Sequence, residues 1–246
     1  MKNSNFCIVL IRGLLREARH WGDFPGLLQQ QYPDAQILCP DIPGNGSLNH
    51  LTSPNTIPGM TDALRKQVST HTPIYLIAIS MGGMIAIDWM NRYPTEVNSA
   101  VLINTSLANF NPFYQRLRWQ NYHKIIPLLF ASRLKREKII LALTSNKHAN
   151  NSKLLAKWQQ WQMEISVSAS SAINQLRASA SYSTGTKPEH PMLFISSSAD
   201  RLVDYHCSLK LQNNWHKDYQ QHTTAGHDLP LDDPDWLLVT ISQWFQ

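Results

Sequence analysis

Residues 74–93 read IYLIAISMGGMIAIDWMNRY, and the meaning of this stretch decides the rest. Ile74–Ile79 is short, apolar and rich in β-branched side chains, the pattern of a buried strand. Gly83–Tyr93 predicts a helix, ended by Pro94. Ser80 falls between the two. A serine in a sharp strand-to-helix turn needs small residues two positions to either side, because a larger side chain would collide where the chain doubles back. Ala78 and Gly82 meet that need. Such a turn points the Ser80 hydroxyl out of the sheet and leaves the Met81 N–H at a helix N-terminus, where it can stabilise an oxyanion. A plain serine N-cap would explain the hexapeptide without chemistry, but the strand and helix on either side favour catalysis.

Outward from this unit the same rhythm repeats. Buried strands are expected at Phe6–Ile11, Gln36–Cys39, Ala100–Ile103 and Met192–Ile195, with a last strand at Asp218–Gln221 before the Ala225-Gly226 turn. Helices are expected at Trp21–Tyr32, Met60–Thr70, Tyr205–Trp215 and Trp236–Phe245, with Pro33 marking the end of the first. Strand alternating with helix predicts an α/β fold of about six strands, all parallel. Residues 110–187 break the rhythm: they are helical in pattern, basic and aromatic, and read as a helical cap inserted into a core formed by 1–109 and 188–246.

Ligands of an open parallel sheet bind beyond the carboxyl ends of its strands. The residues at those ends are Arg12-Gly13-Leu14, Asp41 to Gly46, Ser80, Asn104, Asp200 and Gly226-His227. A nucleophile, a carboxylate and an imidazole therefore meet at one edge. A serine hydroxyl needs a base to take its proton, and His227, in a loop after the last strand, is the best placed. His20 and His71 sit near expected helix ends, His123 and His148 lie in the insertion, and His222 is still at a strand end. Asp200 follows the fifth strand directly and would orient the imidazole and stabilise its cation. Its rival Asp204 is already explained as a helix cap, and the plain alternative for Asp200 is a salt bridge to Arg201.

Arg12-Gly13, Asp41-x-Pro-Gly-x-Gly, Ser80-Met-Gly-Gly, Asp200-x-x-Val203 and Gly226-His227 together resemble the α/β-hydrolase superfamily nearly end to end. The resemblance implies a Ser80–Asp200–His227 triad and adds the N–H of Leu14 to that of Met81 as the oxyanion hole. Arg12 departs from the pattern by standing where many members have His, and would alter the shape or charge of that side. Ala78 replaces the more usual glycine, and the N-terminal hairpin of larger members is missing, so that six strands replace eight. A serine nucleophile argues against the dehalogenase and epoxide-hydrolase branches, which use Asp.

Composition sets limits on partners. With 43% hydrophobic and 16% charged residues the chain reads as soluble and globular. Cys7, Cys39 and Cys207 form no metal-like spacing, and the ten histidines form no ligand cluster, so neither metal nor cofactor is expected. Phe6–Ile11 reads as a strand rather than a secretory signal, and no apolar run spans a bilayer; the expected location is cytoplasmic. Between Pro112 and Lys157 ten basic residues face one acid, Glu137. Two readings of this segment stand side by side: Trp158 and Trp161 form the cap's own core while its lysines and arginines face water, which is the better account for most of them, or Phe110, Phe113, Tyr114 and Trp119 line an acyl pocket whose basic rim attracts an acidic acyl-carrier or CoA-linked substrate. The basic run matches no nucleic-acid module. The leading reading is a carboxylic ester hydrolase acting on a small-molecule ester. A thioesterase or C–C hydrolase using the same groups, or a non-catalytic binding module on this fold, are the alternatives.

Overall fold

A computed structural model describes residues 6–69, 73–125, 128 and 131–245. Six strands, β1 (Phe6–Ile11), β2 (Ala35–Leu38), β3 (Ile74–Ile79), β4 (Val97–Ile103), β5 (Met192–Ser197) and β6 (Asp218–His222), form one sheet in the order β2-β1-β3-β4-β5-β6. Every pairing is parallel. The side-chain period of two divides the four inner strands between the faces. Cys7, Val9 and Ile11, Leu76 and Ala78, Ala100 and Leu102, and Met192 and Phe194 pack on one side. Ile8 and Leu10, Ile77 and Ile79, Val101 and Ile103, and Leu193 and Ile195 pack on the other. Both faces are apolar because both are covered by helices.

Helices α1 (Phe24–Gln31), α2 (Ile57–Arg65), α3 (Met81–Arg92), α4 (Phe113–Arg116), α5 (Tyr122–Ile125), α6 (Arg133–Thr144), α7 (Ser152–Glu164), α8 (Ala169–Ser181), α9 (His206–Trp215), α10 (Leu229–Asp232) and α11 (Pro234–Trp244) follow in chain order. Residues of α2, α3, α8 and α9 cover the first face, and those of α1 and α11 the second. Five helices, α4 to α8, lie between β4 and β5 with no strand among the described residues there.

The expected element boundaries needed small changes. The expected first helix, Trp21–Tyr32, shortens to α1 and is preceded by a 3-10 turn over Ala18–Trp21, because Pro25 suits the first turn of a helix but not its interior. The second starts earlier, at Ile57, where Thr56 accepts a hydrogen bond from the Gly59 N–H at 3.2 Å and Pro58 fits the first turn. It also ends earlier, at Arg65, short of the expected Thr70, which with His71 lies outside the described residues. Among the described residues no helix is long and apolar enough to cross a membrane.

Candidate active site

The chain passes from β3 into α3 at Ser80, which adopts φ 58° and ψ −122°. A non-glycine residue with positive φ is costly and persists only where the surroundings enforce it. Here they do. The Ser80 N–H bonds the Ile103 carbonyl at 2.8 Å, and its own carbonyl receives the Gly83 N–H at 2.9 Å and the Thr105 hydroxyl at 2.9 Å. A side chain at Gly82 would run into the carbonyl oxygens of Ile11 and Arg12, and one at Gly13 would come within 2.9 Å of the Ser80 Cβ. The close fit that the sequence required at Gly82 thus comes from the end of β1. Among the described residues no acceptor takes the N–H of Leu14 or of Met81, so both donors are free beside the serine's turn.

Asp200 and His227 meet as the sequence predicts. The His227 Nδ1 lies 2.7 Å from Asp200 Oδ2, with the two residues 6% and 1% exposed. The other carboxylate oxygen accepts the N–H groups of Leu202 (2.7 Å) and Val203 (3.0 Å), which fixes the carboxylate's plane. An ionised carboxylate only accepts, so Nδ1 carries the proton and Nε2 is left as the base. Arg201 does not pair with Asp200; its Nη2 donates to the Ser145 carbonyl at 2.7 Å. Asp204 lies just ahead of the following helix, where its side chain accepts the His206 N–H at 3.0 Å. His222 closes β6 and pairs with Asp233 at 3.1 Å.

No hydrogen bond joins Ser80 to His227 among the described residues. Ser80 is half-buried. Such contacts are commonly loose in an unliganded enzyme and tighten in the substrate complex. Asn104 nevertheless links the two sides: with φ 48°, it follows the Ile103 that receives the Ser80 N–H, and its Nδ2 donates to the His227 carbonyl at 2.8 Å. Sequence reading placed Asn104 at this edge but gave it no task. Its side-chain oxygen also accepts the Ser197 N–H at 2.8 Å, so it ties β4, β5 and the histidine loop together.

Two further residues were not foreseen. Asp232, 3% exposed, accepts the Gly226 N–H at 2.7 Å, the Asn146 N–H at 2.8 Å and the Ser145 hydroxyl. Gln175, fully buried on α8, accepts the Leu15 N–H at 2.9 Å and donates to Asn45 at 2.7 Å and Ser53 at 2.9 Å. Both fasten the α4–α8 segment to the loops at the sheet's edge. Neither was singled out by the sequence, because most of their partners are far away in the chain.

The aromatic residues expected to line an acyl pocket lie in two settings. Phe113, Tyr114 and Trp119 are 72%, 47% and 61% exposed, and Phe110 packs edge-on against Trp215 at 5.6 Å in the helix–sheet core. Trp158 is buried, but not in a core internal to the segment: the Arg16 guanidinium lies 4.5 Å over it, and the His20 ring meets it and Trp161 edge-on at 5.1 and 5.2 Å. Glu137, the lone acid of the basic stretch, pairs with Arg16 at 2.9 Å with both buried.

His20 in this cluster makes stability pH-dependent. Burial first, then the guanidiniums of Arg16 and Arg12, hold its imidazole well below the ordinary value, against a weaker raising contribution from the Glu17 carbonyl. The folded state therefore resists binding a proton that the unfolded chain takes up below about pH 6.5. Stability is full above that pH and falls as the pH drops, by up to about 1.4 kcal/mol per unit. Urea titrations from pH 7.5 to 5 should give a shallower decline for His20→Phe than for the wild type.

A six-stranded parallel sheet with helices on both faces, and a strained serine at the end of its third strand, define an α/β-hydrolase. The chain belongs to the family described as serine aminopeptidase S33, whose model matches residues 57–233. Solved structures agree on the fold. An esterase from Thermogutta terrifontis is 16% identical with a TM-score of 0.76, covering 99% of this chain and 90% of that one. A lipase-esterase related protein from Clostridium acetobutylicum is 16% identical with a TM-score of 0.73, covering 99% and 96%. An esterase from a Rhodococcus species is 13% identical with a TM-score of 0.76, covering 98% and 90%. At these identities the likeness concerns the fold. A search of curated proteins gives no match.

Proposed function

We propose that this hydrolase cleaves carboxylic esters through an acyl-enzyme, with Ser80 as nucleophile, His227 as general base and acid, and Asp200 as the group that orients His227. The observation that carries the reading is the buried 2.7 Å contact between Asp200 and His227 at the sheet edge where the Ser80 turn also ends. In the first half-reaction Ser80 Oγ attacks the carbonyl carbon while its proton passes to His227 Nε2. The N–H groups of Leu14 and Met81 receive the developing oxyanion. His227 then gives its proton to the leaving alcohol, and a water molecule repeats the sequence to release the acid. Residues 110–187 act as a cap over this edge, fastened through Gln175, Asp232 and the Arg16–Glu137 pair.

Support for a small-molecule ester substrate comes from the esterases that share the fold. The test is a stopped-flow measurement with p-nitrophenyl acetate. A burst of p-nitrophenol equal to the enzyme present is expected, and it should be absent in Ser80→Ala; a burst of equal size in that variant removes the reading.

The ten basic residues between Pro112 and Lys157 favour an acyl donor carrying negative charge, such as an acidic acyl carrier or a CoA thioester. For an acyl-CoA, kcat/KM should fall about tenfold between 50 and 500 mM salt as the attraction is screened, with little change for a neutral ester. Equal responses by the two substrates would leave the basic stretch as a solvated surface.

A further inference from the structure

Arg12 touches both halves of the site. Its backbone and that of Ile11 press on the Ser80 turn, filling the space that a side chain at Gly82 would need, and the next residue, Gly13, abuts the Ser80 Cβ. Its side chain reaches the other way: Nη1 and Nη2 donate to the two carboxylate oxygens of Asp228 at 3.0 and 2.6 Å. Asp228 is the residue after His227. The pair is almost wholly buried, 5% and 4% exposed at the side chains, and the guanidinium lies 4.9 Å over Trp21. A bidentate guanidinium–carboxylate pair has a planar, fixed geometry, unlike a lysine contact.

We propose that Arg12 is a positioning residue, whose ion pair with Asp228 sets the separation of Ser80 and His227; this rests on the ester hydrolase reading above. Of the other anchors of the histidine loop, Asn104 also leads to the Ser80 turn, from the β4 side, while Asp200, Asp232 and Thr144 lead elsewhere. Asp200 holds the ring, Asp232 takes the Gly226 N–H, the Thr144 carbonyl takes the Asp228 N–H at 2.8 Å, and Asn104 approaches from β4. Arg12 alone among these joins the loop to the chain segment that packs on the Ser80 turn from the β1 side. Stability is a poor reason for such a pair, since apolar residues of similar volume commonly serve a buried site as well. Fixing a distance is a task apolar residues perform less well.

The pair also fixes a charge balance near His227. Charged groups around the loop are Asp200 from the end of β5, Asp228 and Asp232 in the loop and the short helix after it, Arg12 from the end of β1, Arg118 on the Asp200 carbonyl and Arg201 on the Ser145 carbonyl. Removing Arg12 leaves the Asp228 carboxylate uncompensated, which favours a cationic imidazole next to it; removing the Asp228 charge leaves a guanidinium, which opposes one.

The experiment measures the rate at which a fluorophosphonate labels Ser80 in the full chain, from pH 5 to 9. It compares wild type, Arg12→Met, Asp228→Asn and the double variant Arg12→Met/Asp228→Leu, with a thermal melt of each. Arg12→Met should label about 10- to 100-fold more slowly, with its acid limb moved up by about 0.5 pH unit, and Asp228→Asn should move the limb down by a similar amount. The double variant should melt close to the wild type and keep the wild-type limb, yet still label slowly. Wild-type rates in folded variants, or limbs that do not move in opposite directions, overturn the positioning role while leaving Ser80 as nucleophile. A wild type that the reagent does not label at Ser80 overturns the hydrolase reading and the positioning role with it.

Discussion

Ser80→Ala is expected to lower kcat on p-nitrophenyl acetate by about five to six orders of magnitude, while its fold and thermal midpoint stay close to those of the wild type. The loss would be large because, in the proposed mechanism, this hydroxyl forms the covalent bond. The residual rate would come from the free N–H groups of Leu14 and Met81 and from substrate binding, which the substitution leaves in place. The small structural effect follows from the bonds that hold the turn: the Ser80 N–H and carbonyl are fixed by Ile103, Gly83 and Thr105, and its side-chain hydroxyl supplies none of these contacts. Steady-state kinetics alongside circular dichroism would separate lost chemistry from lost structure. A fall in kcat of less than tenfold would contradict the assignment.

Asp200→Asn should be nearly as damaging, at about 10³- to 10⁴-fold in kcat with a small change in KM. The geometry explains why an isosteric change does so much. One oxygen of Asp200 accepts two backbone N–H groups, from Leu202 and Val203. An asparagine must keep its carbonyl oxygen there, because its amide cannot accept those protons. The NH₂ group then faces His227 Nδ1, where a donor is already in place. The imidazole must move its proton to Nε2, the nitrogen required as the base toward Ser80. Activity should therefore be lost without loss of binding, and the pH dependence of kcat is the measurement that shows it. Activity within threefold of the wild type would mean that Asp200 does not orient His227.

Much of this was legible before any coordinates. Short apolar, β-branched runs between turn residues marked five of the six strands, since a strand buried on both faces has few other sequence solutions, and the sixth, expected at Asp218–Gln221, followed from its place before the Ala225-Gly226 turn. The edge residues followed from the rule that chemistry gathers beyond the strands' carboxyl ends, and that rule brought Ser80, Asp200 and His227 together across 147 positions of chain. What stayed hidden were contacts between distant polar residues. Arg12 was seen as an oddity on the oxyanion side, not as the partner of Asp228, because a buried ion pair leaves no local pattern. Gln175 on α8 likewise looks like any polar residue of an exposed helix, yet it is fully buried on the Leu15 N–H. The setting of the aromatic residues was hidden as well: Phe113, Tyr114 and Trp119 are large, yet 72%, 47% and 61% exposed. Hydrophobicity predicts burial only where another element is there to provide it.

The central claim is that Ser80 becomes covalently acylated during turnover. The most direct measurement is peptide mass spectrometry of enzyme acid-quenched milliseconds after mixing with a slowly hydrolysed p-nitrophenyl ester. The account predicts one added acyl group on the peptide that contains Ser80, lost on longer incubation and never formed in Ser80→Ala. An acyl group on another residue, or turnover with no adduct at Ser80 when deacylation limits the rate, would contradict it.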